Sequence, residues 1–287
     1  MKLSDLYEGG TPSISFEIFP PRTTEAMKAL ENRLPRLIEL KPSFISVTYG
    51  ALGSSRSLTL EVSSIIRNRY GIETAHHLTC VGSSRSEITA MLEEIRKHNI
   101  ENIVALRGDP PRGDLVFNAP VDGFEHGDEL VSHIREFGEF GVAVAGYPEK
   151  HIEAPDMETD LLNLKRKVDS GADAIITQLY FDNSHFYKFV ENCRSIGIEQ
   201  PIVPGLMPIL SGTQIRRITE MCGATIPEDL MSKLEDAGED TSLVHEIGID
   251  HTARQAKDLL DNGVPGIHFY VLNRHFHIAE IMERIAE

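Results

Sequence analysis

Short runs in which β-branched and aromatic residues alternate with small or polar ones recur eight times along the chain. They are SISFEIF (13–19), SFISVTY (43–49), TAHHLTC (74–80), NIVALRG (102–108), GVAVAGY (141–147), AIITQLY (174–180), PIVPGLM (201–207) and GIHFYVL (266–272). Their length and composition predict strands. Between them apolar residues recur at helical spacing, as in Met91, Leu92 and Ile95, or Leu161, Leu164 and Val168. The connection over 211–264 is the longest and predicts an extra helix around 227–236. Strands separated by helices imply parallel pairing through right-handed crossovers. Eight such units predict a (β/α)8 TIM barrel, an α/β fold, in one domain over residues 1–287. An open doubly wound sheet is the competing architecture, but no G-x-G-x-x-G turn follows any of the strands.

Composition changes this picture little. Of 287 residues 41% are hydrophobic and 25% charged, as in a globular enzyme-sized chain. No apolar run approaches the length of a membrane span, and the N-terminus lacks the apolar core of a secretory signal, so a cytoplasmic location is expected. Forty-four acids against 28 bases give a net charge of −16, which disfavours nucleic acid and anionic membrane as partners. Cys80, Cys193 and Cys222 are scattered, with no C-x-x-C, so neither a disulfide scaffold nor a zinc ribbon is expected; they read as buried small apolar groups.

In a barrel the chemistry sits where strands end. Those ends offer Glu17, Thr48, His76, His77, Arg107, Asp109, Tyr147, Gln178, Asn273 and Arg274. Alternation points Ser15 and Glu17 one way and Phe16 and Ile18 the other. A carboxyl inside a strand is costly unless paired, or unless its pKa is raised so that it stays protonated. Glu17 is therefore either a general acid or half of a salt bridge to a barrel arginine. His76 and His77 face opposite ways and cannot share one metal, so a metal-dependent hydrolase is disfavoured and no metal is expected. Gly108 and Asp109 form either a ligand-facing turn or an ordinary polar one. Asp160, Asn163 and Lys167 share a helix face, with Arg166 beside Asn163. That stripe suits a ribose and a phosphate, or is simply solvated.

Taken together, SFEIFPP (15–21), SVTYGA (46–51), HLTC (77–80), IVALRGD (103–109), YPEKH (147–151), DLLNLKRKVD (160–169), ITQ (176–178), PGLMP (204–208) and HFYVLNR (268–274) resemble the methylenetetrahydrofolate reductase family, in family order and over nearly the whole chain. The length resembles the short bacterial form. The resemblance implies a barrel holding FAD at its C-terminal strand ends, with Thr48, Tyr49, His77, Arg107, Gly108, Asp109, Tyr147, His151, Asp160, Asn163, Arg166 and Lys167 contacting the cofactor. It makes Glu17 the general acid and Asp109 the carboxylate beside flavin and pterin, and it gives Gln178, Gln214 and Arg274 to the folate. Two departures stand out. Ile218 replaces a phenylalanine that stacks on substrate in some members, and 110–126 aligns poorly, with Phe124 or His126 as candidates for an aromatic flavin contact.

The implied reaction is reduction of 5,10-methylenetetrahydrofolate to 5-methyltetrahydrofolate, with NADH or NADPH as electron donor in a ping-pong cycle. Glu17 assists ring opening, and Asp109 stabilises the resulting iminium cation. Folate is the expected small-molecule partner, and a homo-oligomer is expected. The alternative is a flavoprotein subunit of the same family fed electrons by an iron–sulfur partner.

Overall fold

The computed structural model describes residues 1–7, 9–21, 23–49, 56–108 and 119–286. Asp109 therefore lies outside the described residues, as does much of the 110–126 segment.

The predicted strands are present and all pair in parallel, each ending somewhat before the end of its apolar run. They are β1 (Ser13–Ile18), β2 (Phe44–Val47), β3 (Thr74–Thr79), β4 (Asn102–Leu106), β5 (Gly141–Gly146), β6 (Ala174–Thr177), β7 (Ile202–Val203), β8 (Gly205–Leu206) and β9 (Gly266–Tyr270). The single seventh strand expected over 201–207 is a correction: it is two short strands divided by Pro204. Proline has no N–H for the ladder and restricts the residue before it. β7 pairs β6, whereas β8 pairs β9, and the Pro204 carbonyl still accepts from His268 N at 2.9 Å. The break moves the chain from one neighbour to the other, and β1–β9 pairing completes a (β/α)8-type TIM barrel.

Helices lie outside the strands: α1 (Thr24–Glu39), α2 (Arg56–Ser64), α3 (Arg85–Lys97), α4 (Gly127–Phe137), α5 (Met157–Asp169) and α6 (Asn183–Ser195). The long connection carries three helices, α7 (Gly212–Cys222), α8 (Glu228–Ala237) and α9 (Thr241–Asp261), and α10 (Phe276–Ala286) ends the described chain. Side-chain caps fix several starts. Ser84 and Glu87 form a reciprocal box at α3, and Asp156 accepts from Thr159 N at α5. None of the described helices is long and apolar enough to cross a membrane.

Strand alternation divides the barrel into two environments. Phe16, Ile18, Ile45, Val47, Leu78, Ile103, Val142, Ile175 and Phe269 pack outward against the helices. Phe44, Ala75, Val104, Ala143, Ala174, Ile176 and Val203 pack with Leu3 of a short N-terminal turn (Leu3–Tyr7). Asn102 Oδ1 accepts from Leu3 N at 2.8 Å and anchors that turn. The apolar floor leaves the opposite end of the barrel for polar groups.

Candidate active site

Glu17 and Ser15 on β1, Ser46 on β2, His77 on β3 and His268 on β9 are buried polar residues along the barrel interior. Glu17 Oε2 lies 3.3 Å from His77 Nε2 and 3.7 Å from His268 Nε2. Of the two alternatives for Glu17, the salt bridge to a barrel arginine is thus corrected: its partners are two imidazoles. His268 is fully buried. Its Nδ1 is 2.7 Å from Ser15 Oγ and its Nε2 is 3.2 Å from Ser46 Oγ. Phe44 stacks on the ring at 5.5 Å, and Tyr270 meets it edge-on at 5.6 Å.

The expected raised pKa of Glu17 is also corrected. Burial is the largest influence and would raise it, but the neighbouring imidazoles, His77 first and then His268, together outweigh burial and hold it down to about 2. Without ligand, Glu17 is a carboxylate near neutral pH. Burial depresses His268, with the Glu17 carboxylate opposing. His76 faces the other way, its Nδ1 3.1 Å from Ser63 Oγ, and burial pulls it to about 3. The His76–His77 pair thus divides between helix layer and barrel mouth, as strand alternation requires.

A second polar group lines the ends of β4 and β5 and the adjoining faces of α4 and α5. Arg107 reaches Glu153 at 2.6 Å, and Tyr147 meets His151 edge-on at 4.6 Å. Asp160, buried on α5, accepts from His151 N at 3.0 Å. About two helical turns along the same face, Lys167 Nζ donates to the Ala145 carbonyl at 2.6 Å and lies 5.9 Å from the Tyr147 ring centre. Burial lowers its pKa to about 8, against the pull of Asp160 and Asp128. Asn163 accepts from Arg166, whose guanidinium is at the surface. Gly108 has φ +86°, and a Cβ there would stand 2.6 Å from Val81 Cγ1, so the turn requires glycine. Thr48, at the end of β2, donates its N–H to Ile18 O at 3.0 Å, and the Tyr49 hydroxyl approaches Met91 Sδ at 3.9 Å.

The remaining candidates occupy the same rim. Gln178 follows β6, its Oε1 accepting from Leu179 N at 2.9 Å. Gln214, in the first turn of α7, accepts from Leu210 N at 2.7 Å. Arg274 follows β9 with its side chain exposed. Ile218 packs against the cluster that includes Leu179, Met207 and Ile215. Phe124 is a correction to the flavin-contact candidates: it is fully buried beneath Arg85, whose guanidinium lies 4.4 Å over the ring. His126 is exposed at the start of α4. Cys80 and Cys193 are buried as expected, whereas Cys222 is only half-buried. Among the described residues no cluster of three or more His, Cys, Asp or Glu could hold a metal.

The sequence reading missed His268, Ser15, Ser46 and Tyr270 as site residues. Their signal was present: strand alternation through GIHFY places His268 and Tyr270 on one face, level with Ser15 and Glu17 of the paired strand. Phe19, an aromatic 41% exposed two residues beyond Glu17, lies at the same mouth, and its backbone N–H and C=O both pair with the Asn273 side-chain amide at 2.9 Å.

Comparisons place this architecture among known proteins. Residues 2–286 match the family model "Methylenetetrahydrofolate reductase". The Arabidopsis thaliana protein called methylenetetrahydrofolate reductase (NADH) 1 is 42% identical over 283 residues, covering 95% of this chain and 48% of its own. The Escherichia coli K12 5,10-methylenetetrahydrofolate reductase is 38% identical over 265 residues, covering 92% of this chain and 88% of its own. The chain thus spans about half the length of the plant relatives and most of the bacterial one. A Clostridium thermocellum protein, described as binding two copies of 5-methyl-5,6,7,8-tetrahydrofolic acid, shares the fold with a TM-score of 0.66 at 13% identity, covering 99% of this chain and 98% of its own. With the family model matched over nearly its full length, the chain belongs to the methylenetetrahydrofolate reductase family.

Proposed function

We propose that this protein is a single-domain, FAD-dependent enzyme that reduces 5,10-methylenetetrahydrofolate to 5-methyltetrahydrofolate at the expense of NADH or NADPH in a ping-pong cycle. The observation that carries this reading is a buried carboxyl, Glu17, at the mouth of a family barrel that also presents a cluster of charged and polar side chains at the ends of β4 and β5 and the adjoining faces of α4 and α5. That cluster fits FAD in its donor set. Lys167 is a half-buried ammonium that, among the described residues, forms no ion pair and donates to a neutral carbonyl. Arg107 lies nearby, and Gly127 at the start of α4 leaves open the space between Lys167 and the Arg107 backbone. Charge-assisted hydrogen bonds from Lys167 and Arg107 suit a pyrophosphate, and Asp160 and Asn163 suit ribose hydroxyls.

Bound FAD supplies a hydride relay between the nicotinamide donor and the folate methylene carbon. The protein's own part is positioning and proton transfer. Gln178, Gln214 and Arg274 hold the folate across the rim, and Asp109 provides a counter-charge for the iminium carbon. Glu17 gives its proton to the ring nitrogen that departs when the five-membered ring opens. For that, its proton affinity must rise from the ligand-free value. His77, one of the residues assigned to the cofactor, provides the means. Turning its imidazole toward FAD would withdraw the strongest influence that lowers Glu17 and leave burial, which raises it, opposed by His268.

The purified protein is expected to be yellow, with a flavin spectrum that NADH or NADPH bleaches and methylenetetrahydrofolate restores. A colourless protein that binds no added FAD, or bleached flavin that the folate leaves unchanged, overturns the reading.

A further inference from the structure

His268 takes part in none of the steps above, yet it is among the most completely held side chains in the barrel. It is fully buried on β9, sandwiched against Phe44 and met edge-on by Tyr270, with a serine hydroxyl at each ring nitrogen. Buried polar side chains held on every side fix the geometry of what they touch. The remaining neighbour of its Nε2 is the Glu17 carboxyl, at 3.7 Å. That is longer than a hydrogen bond, as contacts in ligand-free active sites often are.

The hydroxyls decide which nitrogen carries the proton. Ser15 Oγ can donate to His268 Nδ1 at 2.7 Å, which leaves Nε2–H directed toward Ser46 Oγ and the Glu17 carboxylate. The reverse tautomer, with Ser15 donating instead to Ile267 O at 3.3 Å, would turn an Nε2 lone pair toward the carboxylate. Electrostatics favours the first arrangement. We propose, building on the acid role of Glu17, that His268 is its positioning residue: a neutral imidazole, clamped by Ser15 and Ser46, that holds the carboxyl from the barrel floor with an Nε2–H.

The titratable groups around this pair are few. β1 contributes Glu17 itself, β3 contributes His77, and β9 contributes His268 and Tyr270; β2 contributes only Ser46 and Phe44. The Tyr270 hydroxyl is occupied by the Thr177 carbonyl at 2.6 Å, and burial pushes its pKa upward, so it stays neutral. When His77 engages the cofactor, His268 is the one described side chain left to stabilise the Glu17 carboxylate. It then sets how readily Glu17 holds a proton. Burial depresses His268 itself, in keeping with a neutral ring that donates without adding a charge.

The test uses flavin-loaded protein and follows the folate half-reaction by stopped flow from pH 5 to 9. His268→Leu removes the donor and leaves Glu17 to burial. The folate half-reaction should slow on the order of tenfold to a hundredfold at its optimum. The descending limb of its pH profile, which reports loss of the Glu17 proton, should move to higher pH by about one unit or more. Ser15→Ala should shift the limb in the same direction by less. A purely structural His268 would lower the amplitude and leave the limb in place, and that result overturns the proposal. Glu17→Gln, run in parallel, separates the two readings. If it retains the folate half-reaction, the acid role itself fails; if it loses that reaction while His268→Leu keeps the wild-type limb, only the positioning role fails. Nitrogen-15 NMR of histidine-labelled wild-type protein provides a check that needs no folded variant. His268 should be a neutral Nε2–H tautomer at pH 7, and an imidazolium or an Nδ1–H tautomer refutes the inference.

Discussion

Lys167 offers a test of the proposed cofactor site whose two readouts have opposite signs. Its ammonium is drawn out of water to donate to the Ala145 carbonyl, with the Tyr147 ring 5.9 Å away. Replacing it by methionine keeps most of the volume and removes the charge. If a phosphate of FAD takes that ammonium as a partner, the loss is one charge-assisted hydrogen bond, about 1.5–3 kcal/mol, or roughly a 10- to 150-fold weaker flavin dissociation constant. The ligand-free protein should be no less stable, because a partly desolvated cation that has no ion-pair partner among the described residues has been removed.

The pH dependence gives the same test without a mutation. In the ligand-free protein Lys167 titrates at about 8, below its ordinary 10.5 because of burial. Phosphate binds the ammonium form, so flavin affinity is fully present below pH 8. Above pH 8 it falls by up to about tenfold per pH unit until the bound form titrates too. Stability moves the other way. Between pH 8 and 10.5 the unfolded chain holds this proton and the folded chain does not, so Lys167 makes stability rise with pH across that window. Fluorescence titration of flavin-depleted protein at pH 7, 8 and 9, with urea unfolding of the same samples, reads both. A Lys167→Met protein that binds FAD within threefold of wild type, with the same pH slope, would show that Lys167 takes no part in holding the phosphates of the cofactor.

Glu17→Gln should leave bleaching of the flavin by NADH near wild type while slowing its reoxidation by methylenetetrahydrofolate by roughly 10²–10⁴-fold; stopped flow on each half-reaction decides, and equal slowing of both would make Glu17 structural. Asp109→Asn should raise the flavin midpoint potential in a redox titration and slow folate reduction, because an anion near the flavin opposes added negative charge and steadies the iminium. Gly205→Ala should destabilise the fold by about 1–3 kcal/mol in urea unfolding, since a Cβ there would run into the Thr177 carbonyl oxygen and come within 2.7 Å of the Tyr270 hydroxyl that bridges β6 across it. Phe19→Ala should raise the KM for the folate more than it lowers kcat, if the exposed ring at the mouth takes over the stacking that Ile218 cannot provide; unchanged KM would leave Phe19 a bystander.

What the sequence disclosed and what it withheld follow one division. Strand positions, strand direction and the inward face of β1 depend on local patterning, and the SISFEIF alternation was enough to aim Glu17 into the barrel. The Pro204 break is local too, but its effect is not: a proline costs a ladder bond anywhere, and only closure of the sheet turns that loss into a change of partner from β6 to β9. Charge state is the least local property of all. Burial can be inferred from alternation, and burial alone argues for a protonated carboxyl at Glu17. The groups that reverse the sign come from 60 residues away on β3 and from the far end of the chain on β9. The His268 contact exists only because barrel closure makes β9 the neighbour of β1, in a register that sets Ser15 opposite His268, whereas His77 reaches Glu17 across β2. Parallel strands alternate faces in step, so a residue buried on β1 must be read together with whatever its register partner and that partner's neighbours turn to the same side. In this barrel that rule brings two imidazoles to one carboxyl. The acidity of Glu17 is therefore a property of the assembled barrel, set by the side chains that β3 and β9 turn to the same side.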